Sequence, residues 1–268
     1  MRIVAILFCL CLGAAWPAGA HEFWLSPEAY KVPVGGQLEA EFRVGQEFAG
    51  GGYVFIPGRS ARFELVTPDG VQEVTPNVGD RPALNIPAPS EGLMVVVQET
   101  TDYRLHYSEW DKFLRFVEHK DLGDTVALHD RRGLPHEGFH EAYRRCAKSL
   151  IAVGDGAGTD RLMGMPTEIV AVTNPYTDDL SGGMVVDVVH DGAARPDAQV
   201  EIFEKAPDGS VEIRTTRTDE SGRASFPVEA GHEYLVDAVV MLDTGNDDPE
   251  AGAVWRSLWA SLTFAVPQ

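Results

Sequence analysis

Basic residues, cysteines and long apolar runs are all scarce in this chain, and each scarcity closes off a class of function. Against 41 Asp and Glu stand only 22 Lys and Arg, a formal net charge of -19. A surface this acidic repels nucleic-acid phosphates and anionic lipid headgroups, so neither is expected as a partner. Of three cysteines, Cys9 and Cys11 fall inside the first apolar run. Cys146 alone would remain once that run is removed, which rules out an intramolecular disulfide. It lies among Phe139, Ala142, Tyr143, Ala147 and Leu150, apolar positions at helical spacing, and reads as a buried, inert thiol on a helix. No Gly-x-Ser-x-Gly turn occurs, and no acid–base pair can be singled out among 41 carboxylates. Nothing nominates an enzyme.

What is present begins with an address. Met1-Arg2, the apolar Ile3–Ala15 and the small residues Ala18-Gly19-Ala20 compose a secretory leader cleaved before His21. The apolar stretch falls short of the roughly 20 residues of a membrane-crossing helix. The mature product is therefore expected in the periplasm, without direct membrane insertion.

Most of the mature chain alternates as half-buried strands do. Leu38, Ala40, Phe42 and Val44 share one face, and further strands are expected over 62–66, 93–98, 168–173, 184–189, 199–204, 211–216, 234–241 and 258–266. Turn signals such as Pro68-Asp69-Gly70 and Pro207-Asp208-Gly209 separate them. The expected fold is mainly β, two immunoglobulin-like or transthyretin-like β-sandwich domains over 21–166 and 167–268. A helical insert at about 108–150 interrupts the first, with Ser108 and Asp111 as a capping pair and a second helix from about Asp124 to Arg132. Gly154–Gly158 reads as a loop, lacking the Lys and Ser/Thr of a phosphate cradle.

Chemistry concentrates on histidine. A mature N-terminal His21 can chelate one metal with its free amine and imidazole Nδ1, nitrogen donors that suit Cu(II), Ni(II) or Co(II) over Mg or Ca. Phe23, Trp24 and Leu25 behind it seek burial and would hold it in place. Such a site needs one or two further imidazoles, and His119 and His129, both in the helical insert, are the favoured partners. His136-Glu137-Gly138-Phe139-His140 matches the zinc-hydrolase pattern H-E-x-x-H, but Pro135 and Gly138 argue against the continuous helix it requires. His106, His190 and His232 read as solvated or capping residues.

The segments His21–Pro27, Val44–Phe48, Tyr143–Leu150, Glu168–Pro175 and Trp255–Phe264 together resemble a bacterial exported family known as a nickel-uptake substrate-specific region. The resemblance implies β-sandwich domains and a periplasmic role in nickel or cobalt uptake beside a membrane metal transporter; of its ligands it carries over only His21. The expectation is a metal-binding protein and not an enzyme. The alternatives are a metalloenzyme, either a zinc hydrolase through His136, Glu137 and His140 or a copper oxidase with an N-terminal brace, and a metal-free β-sandwich scaffold.

Overall fold

The computed structural model describes residues 21–268, so the leader expected over 1–20 lies outside the described residues. The first part of the chain forms β1 (Glu22–Pro27), β2 (Lys31–Val32), β3 (Gln37–Gln46), β4 (Ala49–Tyr53), β5 (Ser60–Thr67), β6 (Gly70–Glu73), β7 (Leu84–Pro87), β8 (Gly92–Thr100) and β9 (Tyr103–Tyr107). Two helices follow, α1 (Trp110–His119) and α2 (Thr125–Arg131), then β10 (Phe139–Val153) and β11 (Thr167–Ala171). The rest is β12 (Met184–His190), β13 (Ala193–Ala194), β14 (Gln199–Lys205), β15 (Val211–Arg217), β16 (Arg223–Phe226), β17 (Glu233–Asp243) and β18 (Trp255–Ala265). The protein is mainly β, as its alternation predicts, and every expected strand has its counterpart.

These strands form three sheets. The largest runs β15-β14-β17-β18-β10-β8-β5-β6, with β2 and β9 also on β10. Strands from both sides of residue 166 thus share one sheet. A four-stranded sheet of β1, β3, β4 and β7 covers one face of it, and one of β11, β12, β13 and β16 covers the other. Side chains alternate along β10 accordingly. Cys146 and Leu150 join Ile169, Val186 and Val188 on one side, while Ala147 and Ile151 join Leu25, Leu38 and Phe42 on the other. Area burial of this kind is worth about 25 cal/mol per Å2 of apolar surface and makes this layering the main stabiliser of the fold.

That double burial corrects the helix expected around Cys146. The segment is the 15-residue strand β10, parallel to β18 and antiparallel to β8 and β9. A strand buried on both faces loses its period-two signature and imitates a helical pattern. Lys148, whose charge suggests a solvated helix face, is fully buried, its Nζ 2.7 Å from Asp160 and 3.1 Å from the Arg161 carbonyl. Burial does raise the pKa of Cys146, to about 12, so it is an inert thiol as expected.

The helical insert is therefore shorter than expected and ends with α2. Glu109, not Ser108, precedes α1, and no side chain caps it. Both helices pack over one end of the large sheet, where Phe113, Phe116 and Val117 meet Phe139, Trp255 and Trp259. The Gly154–Gly158 segment is a loop, tied down because Asn174 Nδ2 donates to the carbonyls of Gly156 and Gly158.

Candidate functional site

β1 places His21. Its pairing with β3 sets Phe23 opposite Val44 and Leu25 opposite Phe42, and residues 22–25 are all buried. Phe23 and Leu25 enter the layer beneath the large sheet, while Trp24 turns the other way against Phe48 and Leu235. The strand is anchored on both faces, and His21, half-buried at its start, is held on the wall of a cavity of about 400 Å3.

Beside β3 and β8, the cavity is lined by Tyr53 at the end of β4, Arg59 and Ser60 before and at the start of β5, Tyr103 on β9, and Tyr143 and Arg145 on β10. The Arg145 guanidinium lies between two ring faces, 5.0 Å from the Tyr143 centroid and 5.7 Å from that of Phe23. Its Nη2 donates to the His21 carbonyl at 3.1 Å, whereas its buried Nε has no partner among the described residues. Burial pushes the Arg145 pKa down. Tyr103 stacks on Tyr143 at 5.3 Å, and Arg59 stands over Tyr103 at 5.6 Å. Neither arginine has a carboxylate within salt-bridge distance among the described residues, although Arg144, next in sequence, pairs with Glu99 and Asp102.

The histidines expected to complete a site with His21 are engaged elsewhere. His129 is fully buried, and both its ring nitrogens are used. Trp255 Nε1 can only donate, so Nδ1 accepts from it at 3.0 Å, and Nε2 carries the proton given to the Pro135 carbonyl at 3.0 Å. Burial pushes its pKa down, which keeps it neutral. Neither nitrogen is left for a metal, and the ligand role expected of His129 is corrected. His119 Nε2 lies 2.9 Å from Glu201 Oε1, and that bond raises the His119 pKa. Neither residue lines the cavity of His21.

Beside His119 lies a compact buried charge cluster. Lys120 Nζ donates to Glu22 at 3.0 Å, Glu201 at 2.6 Å and Asp237 at 2.9 Å. These three carboxylates are grouped closely enough to hold a metal ion, but the lysine ammonium already stands among them. Burial raises the Asp237 carboxyl pKa to about 6, against the opposing pull of Lys120. A second grouping, Glu204, Glu229 and His232, is an ion-pair network in which Arg214, Tyr234 and His232 all bond Glu204.

The H-E-x-x-H match dissolves in the fold. His136 precedes β10, stacked flat on Trp110 at 4.0 Å with Nε2 2.9 Å from Asp130. His140 is already in the strand, where it pairs with His106 of β9, ring centroids 4.8 Å apart. One helical face never carries both, so the zinc-hydrolase geometry is absent.

Arg145 and the tyrosines were missed in the sequence because they become neighbours only when β4, β9 and β10 converge.

No curated protein matches the chain. Among solved structures, a DUF4785 family protein from Legionella pneumophila subsp. pneumophila is similar at 12% identity with a TM-score of 0.25, over 80% of this chain and 51% of that one. A tetra-tandem repeat from the extending region of a large adhesion protein is similar at 12% identity with a TM-score of 0.20, over 91% and 49%. The chain thus spans about half the length of each. Over residues 18–241 it matches a single family model, and the protein belongs to the family described as Domain of unknown function (DUF4198).

Proposed function

We propose that this is an exported, periplasmic transition-metal-binding protein, an accessory to nickel or cobalt uptake, that takes Ni(II), Co(II) or Cu(II) at His21. The observation that carries the reading is the placement of His21. A strand buried from Glu22 to Leu25 holds it at the wall of a cavity, where a free terminus would otherwise fray. In a chain cleaved after Ala20, amine and imidazole Nδ1 form one chelate ring. His129 is excluded as a further ligand, so the remaining positions fall to oxygen donors lining the cavity or to a ligand brought with the metal. The Arg145 guanidinium bonded to the His21 carbonyl favours the second source, because a cation beside it gains from an anionic co-ligand.

Calorimetric titration with Ni(II) and Cu(II) tests this on three proteins: the correctly processed chain, one bearing an extra residue before His21, and His21→Ala. The extra residue turns the amine into an amide and should weaken binding at least tenfold, and His21→Ala should lose no less. Equal affinities in all three would place any metal site elsewhere.

A further inference from the structure

The chain carries 41 acidic residues, and its arginines commonly find one: Arg43, Arg62, Arg144, Arg214 and Arg223 each lie within 3.1 Å of a carboxylate. Arg145 does not, although it is among the more buried of the arginines. Its guanidinium is held near the rings of Phe23 and Tyr143, 5.7 and 5.0 Å from their centroids. One N–H serves the His21 carbonyl, and the other terminal N–H groups have no partner among the described residues. A buried charge left without a counterion costs stability, and a fold retains such a group where something outside the protein completes it.

The surroundings define what that is. The cavity of about 400 Å3 suits a small molecule, and Phe23, Val44, Tyr53, Val54 and Ile56 give it apolar walls beside the Tyr103–Tyr143 stack. Arg59, on the Tyr103 ring at the rim, adds a second positive charge without a carboxylate partner. Ser60 and Gln98 bond to each other, the amide donating to the hydroxyl at 3.0 Å, and so leave the arginines as the uncommitted cationic side chains of the lining.

We propose that this cavity binds a small organic carboxylate, its two oxygens paired with the Arg145 guanidinium and its apolar body against the cavity walls. A guanidinium matches a carboxylate through two parallel N–H···O bonds. This binding stands on Arg145 and the ring walls and needs no metal. If His21 also holds a metal, the same carboxylate reaches it and supplies the anionic co-ligand.

The test uses the correctly processed, metal-free protein and four probes in calorimetry: benzoate, 4-hydroxybenzoate and their two amides. Each acid should bind saturably and at least tenfold more tightly than its amide. Arg145→Met should abolish that preference, and Arg59→Met, a change at an exposed position, should reduce it by a few fold. Equal affinity for acid and amide in the unmodified protein would overturn the proposal without reference to any variant. So would saturable binding of neither acid, or inorganic phosphate binding more tightly than both acids. Metal titration of the same sample reports on His21 separately. Loss of metal binding with benzoate binding intact would refute the metal reading alone.

Discussion

Two cations flank β1, Lys120 buried and Arg145 half-buried, and the protein treats them in opposite ways. Lys120 reaches Glu22 from one side and is closed in by three carboxylates. Arg145 bonds the His21 backbone and touches Phe23 from the other side, with aromatic rings for neighbours and no carboxylate. The first cation is satisfied internally, and its removal would strand three anions. The second is presented to a cavity. Burial of a charge therefore does not by itself mark a site; what sets Arg145 apart is a missing counterion together with a place on a cavity wall.

The largest expected effect tests that contrast. Lys120→Met should destabilise the fold by about 3–5 kcal/mol, the usual cost of removing one partner from a buried ionic group. Arg145→Met should cost less, about 1–2 kcal/mol, for one hydrogen bond and the cationic contacts with Phe23 and Tyr143. Urea unfolding of both variants checks the pair, and comparable losses would end the distinction between a structural and a ligand-facing cation.

Glu141 sharpens the comparison from the anionic side. It is fully buried with only hydroxyl partners, Tyr107 at 2.7 Å and Ser257, and burial pushes its pKa up to about 7. The folded state therefore keeps a proton that the unfolded chain releases near its ordinary value of about 4.5. Between those values the native state binds more protons, so this group's contribution to stability falls as pH rises from about 4.5 to 7. Glu141→Gln cannot titrate. Its stability relative to the unmodified protein should improve by about 2 kcal/mol between pH 5 and 7.5, at 1.36 kcal/mol per pKa unit. Unfolding curves at both pH values measure this, and a parallel pH dependence would show that Glu141 stays ionised.

The smallest effect concerns the decoy motif. His136→Ala and His140→Ala, singly, should change metal affinity by less than threefold, because each ring is held by aromatic stacking far from a shared helical face. A tenfold loss in titration would restore a metal role to one of them.

Fold class was legible because most strands have one face to solvent or to a single layer, and Leu38–Val44 shows the resulting alternation plainly. β10 was not, since burial on both faces erases the alternation over 146–153, and Phe139, Ala142, Tyr143 and Cys146 happen to fall at helical spacing. His21 could be named from the leader boundary and the apolar residues behind it. The sequence points to His119 and His129 through the insert's departure from a plain sandwich, but the insert packs on Trp255 and Trp259, and that packing recruits His129 for its own polar bonds. Arg145 had no local signal, because its meaning comes from what is absent around it in space.

The position of β18 has a consequence for how the molecule comes into being. It is inserted between β17 and β10, and its parallel pairing joins residues 114 apart, as in Ser149 and Thr263. On the ribosome, every other strand of the large sheet emerges before the one that joins its two halves. A nascent chain stopped short of Trp255 has two bare strand edges, on β10 and on β17, each able to recruit a strand from another chain. Closing so distant a pair is also entropically slow. The growing polypeptide thus stays open to holding factors and to self-association until its final 11-residue strand arrives and shuts both edges at once.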